Sequence, residues 1–169
     1  MTVDLFIFDC DGVLVDSEPV DDAAVQAALR ECGIDPQMFS REVLGAAYGK
    51  GLSDEDMWKA IGDHVGGLPD GLVPAYLRLR DEAMASVAAM PLALEAVEDI
   101  RGMVTVCVAS SGSHEKMAIT LGGTALLPLF RGRVYSATQV EHGNPAPDLF
   151  LYAAAQSGVD PEDCVVIED

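Results

Sequence analysis

The stretch VDLFIFDCDG, residues 3–12, decides the fold. Its apolar run, Val3 to Phe8, is too short for a helix and is continuous rather than alternating, as expected of a strand buried on both faces of a parallel sheet. It breaks off at Asp9-Cys10-Asp11-Gly12, a small acidic turn. The same form recurs down the chain: Met103–Ala109 runs into Ser110, Val134–Tyr135 into Ser136, and Cys164–Ile167 into Glu168-Asp169. Helical patterns separate the last three strands. Ser113 caps a run through Leu121, and Pro147–Gln156 is stopped by Gly158. Strand and helix in alternation predict an α/β protein with a doubly wound parallel sheet.

Between Val15 and Met90 the strand signal stops and helix starts replace it. They are Ser17 with Pro19 just inside, Asp35-Pro36, and Ser53-Asp54-Glu55-Asp56 ahead of Met57-Trp58. A further helix is expected over Pro74–Ala89, bounded by Pro91. The predicted organisation is a core of residues 1–14 and 91–169 with an all-helical insertion over 15–90.

The chain has 169 residues, 50% of them apolar and 22% charged, which is enough to bury a core and excludes a disordered or low-complexity class. Ten basic against 28 acidic residues leave a net charge of −18. Such a chain repels phosphate backbones and anionic lipid, so neither nucleic acid nor a membrane is an expected partner. No apolar stretch approaches the ~20 residues of a spanning helix. The start lacks a basic, then apolar, leader, so a cytoplasmic location is expected; a monomer or weak dimer is expected separately. Cys10, Cys32, Cys107 and Cys164 form no CxxC pair and read as reduced thiols.

Ligands of open α/β sheets bind beyond the carboxyl ends of the strands. Here those ends carry Asp9, Asp11, Ser110, Glu168 and Asp169. Carboxylates crowded on one edge repel unless they share a hard cation, and an all-oxygen set suits Mg²⁺. An aspartate at the end of a buried strand is rigid enough to act as a nucleophile, and one two residues further can serve as general acid and base. A calcium loop does not fit, because Phe6-Ile7-Phe8 stands where an entering helix would be.

Phe8-Asp9-Cys10-Asp11-Gly12-Val13-Leu14-Val15-Asp16-Ser17-Glu18 closely resembles the first signature of the haloacid dehalogenase superfamily, in the subfamily of sugar-phosphate phosphatases and β-phosphoglucomutase. Val106–Ser111 resembles the second signature, Gly143–Phe150 the segment of the third, and Val165–Asp169 the start of the fourth. The helical insertion falls where that subfamily keeps a mobile cap. The resemblance implies a Rossmann-like core and a phosphatase acting on a small phosphorylated substrate through an aspartyl-phosphate. It further implies Asp9 as nucleophile, Asp11 as acid and base, and Mg²⁺ held by Asp9, the Asp11 carbonyl and Asp169, with Glu168 nearby. Ser110 and Ser111, with neighbouring N–H groups, would hold phosphate oxygens. In the cap, Lys50 and Tyr48 are the candidate substrate-facing residues.

Two departures accompany the match. The third signature supplies a lysine, and the matching residue is Asn144, which brings a hydrogen-bond donor and no charge. Lys50 and Lys116 are candidate replacements, each weighed against the plainer reading of a solvated surface lysine. The family also continues past the point where Asp169 stands, so the chain is expected to be a fragment. The alternatives to a phosphatase are a β-phosphoglucomutase-like phosphotransferase and a catalytically impaired metal- or phosphate-binding relative marked by Asn144.

Overall fold

The computed structural model describes residues 2–38, 58–59, 61–63 and 66–169. Four parallel strands make one sheet: β1 Leu5–Phe8, β2 Thr105–Ser110, β3 Val134–Ser136 and β4 Cys164–Ile167, in the order β3-β2-β1-β4. Strand β1 is central. Leu5 aligns with Thr105 on one side and with Cys164 on the other. The expected doubly wound α/β fold is therefore present.

Successive side chains of a strand point to opposite faces, and both faces are filled. Leu5 and Ile7 join Cys107 and Ala109 beneath α5 (Asp148–Ser157), through Leu149, Ala153 and Ala154. Phe8 joins Val106 and Val108 on the other face, with Ala93 and Val97 of α3 (Ala93–Arg101) and Met117 and Leu121 of α4 (His114–Gly123). Each fully buried aliphatic or aromatic side chain of this kind contributes about 1.5–3 kcal/mol. Rigidity at the strand ends follows from that packing.

Helix α1 (Glu18–Glu31) and helix α2 (Leu72–Met84) have a core of their own. Ala24, Val25, Ala28 and Leu29 pack on Leu72, Ala75 and Tyr76, and the Trp58 ring meets the Tyr76 ring edge-on at 5.1 Å. Trp58 is thus a packing residue, as its sequence context suggests. The chain leaves and re-enters the sheet layer at one place. Val15 bridges Ala89, Asp16 N–H donates to Ala88 O, and Met90 N–H donates to Leu14 O, both at 2.9 Å.

Several boundaries differ from the sequence expectation. The helix expected over Pro74–Ala89 runs over Leu72–Met84. Helix α3 was not foreseen: Leu92, at its N-terminus, has φ 65° and caps nothing with its side chain. The helix start at Ser53–Asp56 lies outside the described residues, as do Tyr48, Lys50 and His64. No described helix is long and apolar enough to cross a membrane, and all four cysteines are free.

Candidate active site at the carboxyl edge of the sheet

The strand order places a topological switch between β1 and β4. The chain walks outward from β1 to β2 to β3, then returns past β1 to lay down β4. Loops from β1 and β4 therefore diverge and leave a crevice at their carboxyl ends. Asp9, Asp11, Glu168 and Asp169 stand there, with Ser110 at the end of β2 alongside.

Asp9 continues the ladder one residue past β1, its N–H donating to Ile167 O at 2.9 Å. Its Oδ1 accepts from Cys10 N–H at 2.7 Å. Burial pushes its carboxyl from 3.8 up to about 7; Asp11 and Glu168 add to the rise, while the Cys10 N–H and the Ser110 hydroxyl oppose it. A carboxyl in this setting favours its protonated form until a cation offsets the burial. Cys10 itself is buried, and its thiol is pushed far up by desolvation, so it is unreactive at neutral pH.

The chain then turns tightly, with Leu14 and Val15 N–H both donating to Cys10 O. Gly12 makes the turn possible with φ +75°. A Cβ there would stand 2.6 Å from Asp169 Oδ2, so glycine also leaves room for that carboxylate. The turn aims Asp11 at two donors. Ser17 Oγ donates to Asp11 Oδ1 at 2.6 Å, and Lys116 Nζ lies 3.1 Å from Asp11 Oδ2. Ser17 sits at the N-cap position of α1, as its sequence context predicts, yet makes no side-chain cap bond; its hydroxyl goes to Asp11 instead.

Ser110 is 1% exposed and its Oγ accepts from Gly112 N–H at 3.3 Å. Gly112 O in turn accepts from the buried Ser136 hydroxyl at 2.7 Å, which fixes the loop after β2 to the end of β3. Ser111 is half-buried between them. Asn144 Nδ2 donates to Glu168 Oε1 at 3.3 Å, so the residue at the departed lysine position does reach the acidic edge. His142 is exposed and pairs with Asp148, a helix-start contact and not part of the crevice.

Lys116 corrects the plainer sequence reading. It is not a solvated surface lysine: it is 8% exposed and lies between Asp11 and Asp21. Ser17, Asp21, Gly112 and Ser136 were likewise not foreseen as parts of the edge.

Among the described residues no three His, Cys, Asp or Glu side chains converge closely enough to hold a metal unaided. The donors gathered at the edge are all oxygen, and Asp9 is a half-buried carboxyl whose desolvation a positive charge would offset. That set fits a hard cation such as Mg²⁺, which takes one or two carboxylates and keeps water and phosphate oxygens for its remaining positions.

A family model described as a haloacid dehalogenase-like hydrolase matches residues 3–169. The chain is 27% identical over 175 residues to the 6-phosphogluconate phosphatase of Escherichia coli K12, covering 99% of this chain and 74% of that one. It is 30% identical over 169 residues to the fructose-1-phosphate phosphatase YqaB of the same strain, covering 96% and 85%. A haloacid dehalogenase family hydrolase from Deinococcus radiodurans R1, whose crystal structure holds phosphate and sodium, shares 29% identity and a TM-score of 0.73, over 99% of this chain and 72% of that one.

Proposed function

This chain belongs to the haloacid dehalogenase-like hydrolases, and from that premise we propose that it is a Mg²⁺-dependent cytoplasmic phosphatase of a small sugar or organic-acid phosphate. The observation that carries this reading is the pairing of Asp9 and Asp11 in the switch crevice. The two stand two residues apart on one turn: Asp9, half-buried at the strand end, becomes a free carboxylate once a cation offsets its desolvation, and Asp11 is oriented by the Ser17 hydroxyl and the Lys116 ammonium. The relatives named above, phosphatases of phosphorylated sugars and sugar acids, support the same substrate class.

In this reading Asp9 Oδ attacks phosphorus as the ester P–O bond breaks, and Asp11 gives its proton to the departing alkoxide. Asp11 then takes a proton from water as that water attacks the Asp9 phosphoryl group, releasing inorganic phosphate and the Asp9 carboxylate. Ser110, Ser111 and the Gly112 N–H hold phosphate oxygens, with Asn144 a further donor. Asp9, the Asp11 carbonyl and Asp169 hold Mg²⁺, with Glu168 beside them; the ion supplies the positive charge that offsets the carboxylates and the phosphoryl oxygens. The helical insertion serves as a cap, and Tyr48 and Lys50, outside the described residues, are its candidate substrate-binding residues.

The test is phosphate release from a panel of sugar phosphates and small phosphomonoesters, with Mg²⁺ and with EDTA, alongside acid-quench mass spectrometry of the Asp9 peptide. Mg²⁺-dependent release with a phosphorylated Asp9 peptide is expected. A folded, Mg²⁺-binding protein that releases no phosphate and shows no labelled peptide is the outcome of the second reading, an impaired relative, which the uncharged Asn144–Glu168 contact favours.

Gly12→Ala tests the Asp169 contact. The left-handed φ costs about 1–2 kcal/mol for any L side chain, and the added methyl displaces Asp169. Calorimetry is expected to show at least about tenfold weaker Mg²⁺ binding. Unchanged affinity would remove Asp169 from the metal set.

A further inference from the structure

Lys116 occupies the first turn of α4, its N–H donating to the Ser113 cap at 3.2 Å. Charged side chains this deeply buried persist where partners replace the lost water. Its ammonium reaches carboxylates on two elements: Asp11 Oδ2 at 3.1 Å, on the loop after β1, and Asp21 Oδ2 at 3.4 Å, in the first turn of α1. Asp21 is fixed in turn. Its Oδ1 accepts from Tyr76 OH at 3.0 Å, and the Arg80 guanidinium of α2 stacks 5.2 Å from the centre of the Tyr76 ring. With Ser17 Oγ on its other oxygen, the Asp11 carboxylate is oriented by both oxygens at once.

We propose that Lys116, anchored on Asp21, is a positioning residue for Asp11: it fixes the carboxylate's orientation towards the reacting oxygen and ties that orientation to the seating of α1 and α2 on the sheet edge. The inference rests on the acid–base reading of Asp11. Without the ammonium, the Asp11 and Asp21 carboxylates face each other with no cation between them, and the cheaper of the two to move is Asp11, on its turn.

A leaving-group comparison separates positioning from mere support of the fold. Lys116→Met, Lys116→Arg, Asp21→Asn and Asp11→Asn are assayed on a sugar phosphate, whose alkoxide needs a proton to leave, and on dinitrophenyl phosphate, whose phenolate does not. Lys116→Met is expected to lower kcat/KM, which reports only the steps up to departure of the alcohol, about 30- to 100-fold on the sugar phosphate and less than about threefold on the aryl ester. Asp21→Asn shifts the same ratio by a smaller factor, and Lys116→Arg restores part of it. Equal losses on both esters, or none, overturn the proposal. If Asp11→Asn itself fails to discriminate between the esters, the acid–base reading falls instead. Crystal structures of Lys116→Met and Asp21→Asn require no activity: Asp11 turned away from the Ser17 hydroxyl is expected, and an unmoved Asp11 overturns the proposal whatever the kinetics.

Discussion

Asp9→Asn will lower phosphate release by about 10⁴-fold or more while making the metal-free protein more stable above pH 7. The loss of activity follows from removing the atom that bonds to phosphorus, which no neighbouring group can replace. The gain in stability follows from linkage. In the folded chain the Asp9 carboxyl keeps its proton up to about pH 7, whereas in the unfolded chain it gives the proton up near 3.8. Between those values the native state binds more protons than the unfolded one, so stability falls as pH rises through the window and stays reduced above it. The ceiling of that loss is about 4 kcal/mol, and each kcal/mol moves the melting temperature of a chain this size by about 2–4 °C. Asparagine has nothing to ionise and escapes the penalty. Thermal melts in EDTA at pH 4.5 and pH 8 check this. The variant and the parent differ by only about 1 kcal/mol at the lower pH and separate by most of the ceiling at the higher one, and Mg²⁺ raises the parent far more than the variant. Melting curves that stay parallel at both pH values would remove Asp9 from the buried, cation-demanding position assigned to it.

Asn144→Lys is expected to raise kcat by about 10²- to 10³-fold. One donor aimed at developing oxyanion charge is worth about 2.7–4 kcal/mol; the Asn144 amide is spent on Glu168, and a lysine brings a charge-assisted donor in its place. Asn144 already points at Glu168, so a longer cationic side chain needs no new backbone path to the acidic edge. The same charge offsets the Glu168 contribution to Asp9 and so flattens the pH-dependent instability of the metal-free protein. Asn144→Met serves as the size control and is expected to gain nothing. If lysine gains no more than methionine, position 144 is not what limits turnover.

Strands β1 and β2 were legible because burial on both faces forces an unbroken apolar run, and the edge strand β4, only partly buried, still begins and ends where the apolar run Cys164–Ile167 does in the sequence. The Ser113 cap and the Gly158 stop were legible for the same reason: each residue type meets one local backbone need, Ser113 accepting from Lys116 N–H and Gly158 taking φ 70°. Helix α3 carries no such marker. It starts at a leucine that is 73% exposed, and it buries only Ala93 and Val97. Its apolar spacing, Ala93, Leu94, Val97 and Ile100, is helical, but nine residues without a capping side chain or a marked stop offer no boundary signal beside that stripe.

Within the site, the carboxylates were readable from strand ends alone, but their partners were not. Lys116 had a usable signal. Helical side chains lean towards the N-terminus, and the N-terminus of a helix that follows a parallel strand lies at the strand's carboxyl end. A lysine in that first turn, beside Met117 and one turn before Thr120 on the buried face, is aimed at the crevice. Reading it as surface-exposed ignored that direction. Ser17 misled in the opposite way, because a cap residue and a carboxylate ligand look the same in sequence. Asp21 required knowing that α1 folds back over the edge, a tertiary fact with no local trace.

The paired crossing at Val15 and Ala89 has a consequence for how such a protein can diversify. The intervening chain begins and finishes at neighbouring hydrogen-bonded positions, so to the sheet it is one closed loop, whatever it contains. Doubling the length of a closed flexible loop costs only about 0.6 kcal/mol. Insertions, deletions or exchange of the middle of that stretch can therefore accumulate while the acidic edge keeps its geometry, provided residues at the positions of Ser17 and Asp21 still meet Asp11 and Lys116. Selection for a new ligand can act on one stretch of the gene while the chemistry stays encoded in another.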